Sequence, residues 1–136
     1  MIEITAQAID VQKIIDAATN QGAGAVNVFI GTVRNSAQAK KVVRLEYEAY
    51  ESMAVVEIKK IIDEAITQWP ILGWAISHRT GLLKPGEVSV VVAVSTPHRK
   101  ESFLACQYVI DSLKAKATIW KKEVFEDGEE WISAHP

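Results

Sequence analysis

Val88, Val90, Val91, Val92 and Val94 fill five of seven consecutive positions. A strand from Glu87 to Ser95 is therefore apolar on both faces, which places it centrally in a sheet. Beyond Ser95 the period changes at once. In the stretch from Ser95 to Glu123, Thr96 is a candidate helix cap and Pro97 suits the first helical position, where a missing N–H costs nothing. Phe103, Cys106, Val109, Ile110 and Leu113 then recur at helical spacing and define one buried stripe. Thr118 to Phe125 returns to strand, and Asp127-Gly128 turns the chain back through Trp131 and Ile132.

The earlier half alternates in the same way. Ile2 and Ile4 suggest a first strand, and Val11, Ile14, Ile15 and Ala18 an amphipathic helix that ends at Gly22 and Gly24. Ala25 to Val33 reads as a strand, and residues 35–41, without apolar period, as a mobile loop. Val43, Leu45, Tyr47 and Ala49 alternate with Arg44, Glu46, Glu48 and Tyr50, so one face of that strand is core and the other meets solvent or a partner. Met53, Val56, Ile61, Ile62, Ala65, Ile66 and Trp69 share the face of a second helix that Pro70 stops. Trp74 to Thr80 is a strand and Leu82 to Gly86 a turn. Hairpins mixed with crossovers predict an α+β chain, a mixed and largely antiparallel sheet covered by helices.

At 136 residues this is one domain, residues 1–136, without repeats or linker. A formal charge of −2 argues against a general nucleic-acid binder, and no apolar run is long enough to cross a membrane. The first residues lack the basic and apolar regions of a secretory signal, which suggests a cytoplasmic protein. A single cysteine excludes an internal disulfide. His78, His98 and His135 are scattered and offer no metal-ligand spacing, so no metal site and no cofactor is expected.

The chemistry therefore rests on cations. His98 and Arg99 at a helix start, with its free N–H groups and partial positive charge, would make an anion site. Lys114 and Lys116 lie in the last turn, where lysine also simply complements the helix dipole. Fifteen residues of straight helix put Arg99 and Lys114 about 22 Å apart. If both serve one small substrate, two chains share the site. Lys121 shares a strand face with Ile119 and Glu123, and Lys122 takes the opposite one. A lysine among other cations has its pKa pushed toward neutrality, which suits proton transfer, whereas lysines on a solvated edge strand only discourage aggregation. Arg34 can meet an anion at a loop edge. Cys106, on the apolar stripe, reads as a small core residue rather than a nucleophile. Glu46 and Glu48 read as a solvated strand face.

Seven segments in order carry a resemblance: Gly31-Thr32-Val33-Arg34-Asn35, Leu45-Glu46-Tyr47-Glu48-Ala49-Tyr50, His78-Arg79-Thr80-Gly81, Pro85-Gly86-Glu87, Pro97-His98-Arg99, Asp111-Ser112-Leu113-Lys114 and Ile119-Trp120-Lys121-Lys122-Glu123. From about Ile2 to Ile132 the chain resembles the large, catalytic subunit of molybdopterin synthase. The resemblance implies an α/β hammerhead fold and a sulfurtransferase of molybdenum cofactor biosynthesis, which converts cyclic pyranopterin monophosphate to molybdopterin. It implies that sulfur arrives as a thiocarboxylate on the C-terminal Gly-Gly of a small ubiquitin-like subunit, and that a homodimer flanked by two such subunits forms a heterotetramer. Matched by motif, Lys114 and Lys121 correspond to the catalytic lysines. Substrate contacts fall on Thr32, Val33, Arg34, His98, Arg99, Lys114, Lys121, Lys122 and Glu123. Thr118 stands where the family commonly has proline, and residues 36–40 lack the His and Gly often seen after the Arg-Asn pair. Two rival readings of the same residues are a module that binds the small protein without chemistry and a dimeric sensor of a phosphate ligand.

Overall fold

The computed structural model describes residues 1–133, with side chains through Gly128. In chain order the elements are β1 (Ile2–Thr5), α1 (Val11–Ala18), β2 (Ala25–Thr32), β3 (Ser36–Ala37), β4 (Lys40–Ala49), α2 (Glu51–Gln68), β5 (Gly73–Arg79), β6 (Gly81–Leu83), β7 (Val88–Thr96), α3 (Arg99–Lys116), β8 (Ile119–Phe125) and β9 (Gly128–Ser133). This is the expected α+β architecture, divided between two sheets. His135 lies outside the described residues, and of the expected return through Trp131 and Ile132 the strand is described.

The valine-rich strand is where its composition demands. In the order β1-β5-β7-β2, β7 runs antiparallel to β5 and β2, and β1 joins β5 in parallel. Val91 and Ala93 pack with Ala75 against Ile14 and Ala18 of α1. Val90, Val92 and Val94 face the larger core, with Ile58 and Ile62 of α2 and Val109 and Leu113 of α3. Burial of every β7 residue after Val88 follows from having helices on both faces.

The second sheet is ordered β3-β4-β8-β9, with β6 also paired to β4. Its register sets Leu45 opposite Glu123 and Tyr47 opposite Lys121. A bulge between Val42 and Arg44 breaks the alternation at one point: Val42 is buried and Val43 exposed, whereas Leu45 and Tyr47 face inward as expected.

Four local expectations change. Residues 35–41 form a hairpin rather than a loop, turning on Gln38 and Ala39 at φ 53° and 60°. That primed turn ordinarily asks for Asn-Gly, so the sequence carried no signal for it. The expected turn at Leu82 begins later, because Gly81–Leu83 pairs with β4 and the chain reverses across Lys84 to Glu87. Thr96 ends β7 instead of capping α3; its hydroxyl donates to the carbonyl of His98 at 2.6 Å, and His98 holds the N-cap position. Phe103 is exposed, as are Met53, Val56 and Ile66 of α2, while Ala54 and Ile58 take the inward positions of that helix. Each helix carries more apolar residues than one face can bury.

Candidate active site

The two sheets meet over a cleft of about 360 Å³. Its cations come from three elements: Arg34 just after β2, Lys114 from the last turn of α3, and Lys121 from β8. Among the described residues Glu123 is the one carboxylate of the lining, against three cations. Such a cleft suits an anion.

Local structure aims each group. A register shift between Gly31 and Thr32 turns the chain as it leaves β2, and Gly31 packs so closely that a Cβ there would lie 2.6 Å from Cγ1 of Val90. Thr32 and Arg34 are thereby delivered to the cleft. On β8 the two-residue period puts Lys121 and Glu123 inward, with the ammonium 3.7 Å from the carboxylate. Glu123 is buried, and its second oxygen has no hydrogen-bond partner among the described residues. That oxygen is itself buried, so the Glu123 carboxylate is packed behind the Lys121 ammonium and not spread into solvent.

Lys114 is exposed along its length, but its amine lies in partly desolvated surroundings. Desolvation, then the positive charges of Lys121 and Arg34, lower its pKa below the ordinary lysine value. An amine so placed gives up its proton more readily than a solvated lysine. Behind it lies a buried polar layer the sequence reading missed. Tyr47 lines the cleft, its pKa raised by burial and then by the charge of Glu123, and its hydroxyl meets Ser89. The Tyr47 ring stands edge-on to His78 with centroids 5.0 Å apart. Burial, with a smaller contribution from Lys114, lowers the His78 pKa to about 4 and keeps it neutral. The alternation in β4 could have found Tyr47, and His78 stood in a segment that carries the family resemblance without a role attached; nothing local pointed to Ser89.

Other residues of the sequence reading lie elsewhere in a single chain. Val33 is buried, tied by its N–H to Glu87 and by its carbonyl to Gly86. Lys122 is on the opposite face of β8, 2.8 Å from the Glu46 carboxylate. His98 and Arg99 stand at the far end of α3, beside Gly24, whose N–H meets the carbonyls of Thr96 and Pro97 at 3.1 Å. Cys106 is buried, and desolvation pushes its thiol up to about 11, as expected of a core residue and not of a nucleophile.

The family model described as MoaE protein matches residues 4–116. The molybdopterin synthase catalytic subunit of Bacillus subtilis (strain 168) is 48% identical over 130 residues, covering 96% of this chain and 83% of its own length. Among solved structures, the X-ray crystal structure of molybdopterin synthase from Staphylococcus aureus superposes with a TM-score of 0.92 at 40% identity, covering 96% of each chain. A complex of subunits 1 and 2 of the molybdopterin-converting factor from Helicobacter pylori shares the fold, with a TM-score of 0.79 at 22% identity over 99% of this chain and 93% of that one.

Proposed function

This chain belongs to the family of molybdopterin synthase catalytic subunits, sulfur-transferring enzymes of molybdenum cofactor biosynthesis, and we propose that the cleft between its sheets is where sulfur passes from a carrier protein to a pterin phosphate. The observation that carries the reading is the convergence of Lys114, Lys121 and Arg34 on one cleft, with Glu123 the one carboxylate among the described residues of its lining. Arg34 and Thr32 hold the phosphate of cyclic pyranopterin monophosphate, and the Lys114 and Lys121 amines orient the incoming thiocarboxylate. They stabilise the oxyanion formed on attack, and Lys114 moves protons. The only cysteine of the chain is sealed in the core, so sulfur has to come from outside. A small ubiquitin-like subunit ending in a Gly-Gly thiocarboxylate supplies it; the two-subunit complex from Helicobacter pylori supports a partner of this kind.

His98 and Arg99 enter through a second copy of the chain. They flank the start of β2 while the cleft lies at its end, and eight residues of strand span about 26 Å. β2 is the outer strand of its sheet, is uncharged over Ala25–Thr32, and exposes Val26 and Ile30. An edge of that kind favours strand pairing. Antiparallel pairing of two copies about a two-fold axis near Val28 lays the start of one β2 beside the end of the other. The partner subunit's His98 and the partner subunit's Arg99 then face this cleft, and two small subunits complete a heterotetramer.

The test combines the protein, thiocarboxylated small subunit and pterin substrate, with detection of the fluorescent oxidised product. Lys121→Ala is expected to abolish product while leaving fold and partner binding intact; near-normal turnover would refute the role. A mixed dimer of one chain lacking His98 and Arg99 with one lacking Lys114 should recover activity at one of its two sites. No recovery would count against sharing.

A further inference from the structure

The joint between α3 and β8 consists of Ala117 and Thr118. Lys114 lies four residues before Thr118 and Lys121 three after it, so the angle at this joint sets where both amines point. Its backbone groups are engaged one by one. The Ala117 N–H donates to the Leu113 carbonyl at 3.0 Å, the Ile119 N–H to the Ala117 carbonyl at 2.9 Å, and the Thr118 carbonyl accepts from the Tyr50 N–H at 3.2 Å. The N–H of Thr118 goes to a side chain from a distant part of the sequence. Oε1 of Glu57, on α2, accepts it at 3.0 Å, and the same oxygen accepts from the Thr118 hydroxyl.

We propose that Glu57 is a positioning residue for the sulfur-transfer site: by taking both donors of Thr118 on one carboxylate oxygen, it fixes the joint between α3 and β8 and with it the relative placement of Lys114 and Lys121. A backbone donor and a side-chain donor from one residue, converging on one acceptor, fix both the backbone and the χ1 angle of that residue, and a charged acceptor makes both bonds strong. Attraction to the helix does not explain the contact, because the C-terminal end of α3 is the negative end of its dipole and disfavours a carboxylate. The two donors explain it. In the family resemblance this position is commonly proline, whose ring stiffens the chain without an N–H to satisfy. In this chain the constraint comes from across the fold, through α2. It matters to chemistry because a displacement of about 1 Å at a reacting group costs on the order of a hundredfold in rate.

The inference rests on Lys114 and Lys121 as the working pair, so Lys121→Ala belongs in the same series. In the full complex with thiocarboxylated small subunit, Glu57→Ala should lower kcat by about tenfold with KM for the pterin within about twofold, since it disturbs placement and not binding. Its melting temperature should fall by no more than a few degrees. Glu57→Gln keeps an oxygen acceptor and should stay within about threefold of the parent. The decisive variant is Glu57→Ala combined with Thr118→Pro. Proline leaves no donor to orphan, and Ala117 already has the extended backbone (φ −70°, ψ 138°) that a following proline requires. The double variant should recover most of the lost kcat. A Glu57→Ala enzyme within twofold of the parent, or a double variant no better than Glu57→Ala, overturns the proposal. If Lys121→Ala is inactive while Glu57→Ala is normal, only the role of Glu57 fails; an active Lys121→Ala enzyme removes the reading of the pair itself.

Discussion

The two sheets divide the labour of the molecule. In the four-stranded sheet, β7 is buried on both faces, its partners on either side are antiparallel, and helices cover it above and below. In the sheet built on β4 and β8, burial is one-sided: Leu45 and Tyr47 point in, while Glu46 meets Lys122 on the outside. Lys121, Glu123 and Tyr47 line the cleft from the inner face of the second sheet, facing Lys114 of α3 and Arg34 after β2. A strand with both faces in the core has no side chain left for a substrate, whereas a strand with one free face can present lysine and glutamate to a cleft without unfolding itself. Core packing and the proposed chemistry are thus assigned to different strands.

That division can be broken from either side. Val92 has no exposed surface, so Val92→Asp buries an unpaired carboxylate; a loss of about 5 kcal/mol or more is expected, read as absence of folded protein in circular dichroism. Lys121→Ala, in the other sheet, should cut product formation by roughly 10² to 10⁴ with a melting temperature close to the parent's. An equal loss of stability from the two changes would erase the distinction.

His78 probes the seam between them, since it belongs to β5 yet packs on Tyr47 of β4. With a folded pKa of about 4 against 6.5 when unfolded, it is neutral in both states above pH 6.5 and contributes nothing to pH dependence there. As pH falls from 6.5 toward 4 the unfolded chain takes up a proton the native one refuses, so stability drops, by roughly 3 kcal/mol at most. Urea midpoints at pH 7.5 and 4.5 should show this, and His78→Gln should flatten the slope. The smallest effect separates the faces of one strand. Lys122→Ala removes a partly exposed pair with Glu46 and should change turnover by less than about threefold. A loss comparable to that of Lys121→Ala would mean that the outer face also meets substrate.

The same contrast explains what could be read from the sequence. The valines of β7 announce a central strand because burial on both faces leaves only one kind of residue possible. The split of Lys121 from Lys122 followed from the period of two. The turn at Gln38 and Ala39 did not, because neither residue advertises φ > 0, and the bulge after Val42 displaced Val43 without any local mark. Nor did spacing show that Phe103 would stay outside while Ala105 went in beside the expected Cys106; helical spacing allows several stripes, and only the partners choose among them. The roles of Ser89, His78 and Glu57 were hidden for a further reason. Each takes its role from a residue far away in the sequence, and no window of sequence contains both.

Cys106 carries a last consequence. A thiol that stays protonated behind Val92 and the α3 stripe is a poor partner for a mixed disulfide. Pretreating this chain with iodoacetamide at neutral pH, and removing the excess before the thiocarboxylated donor is added, should leave turnover within about twofold of the untreated protein. On the proposed reading the reactive atom arrives anew with each carrier, and the catalyst has no sulfur of its own to lose.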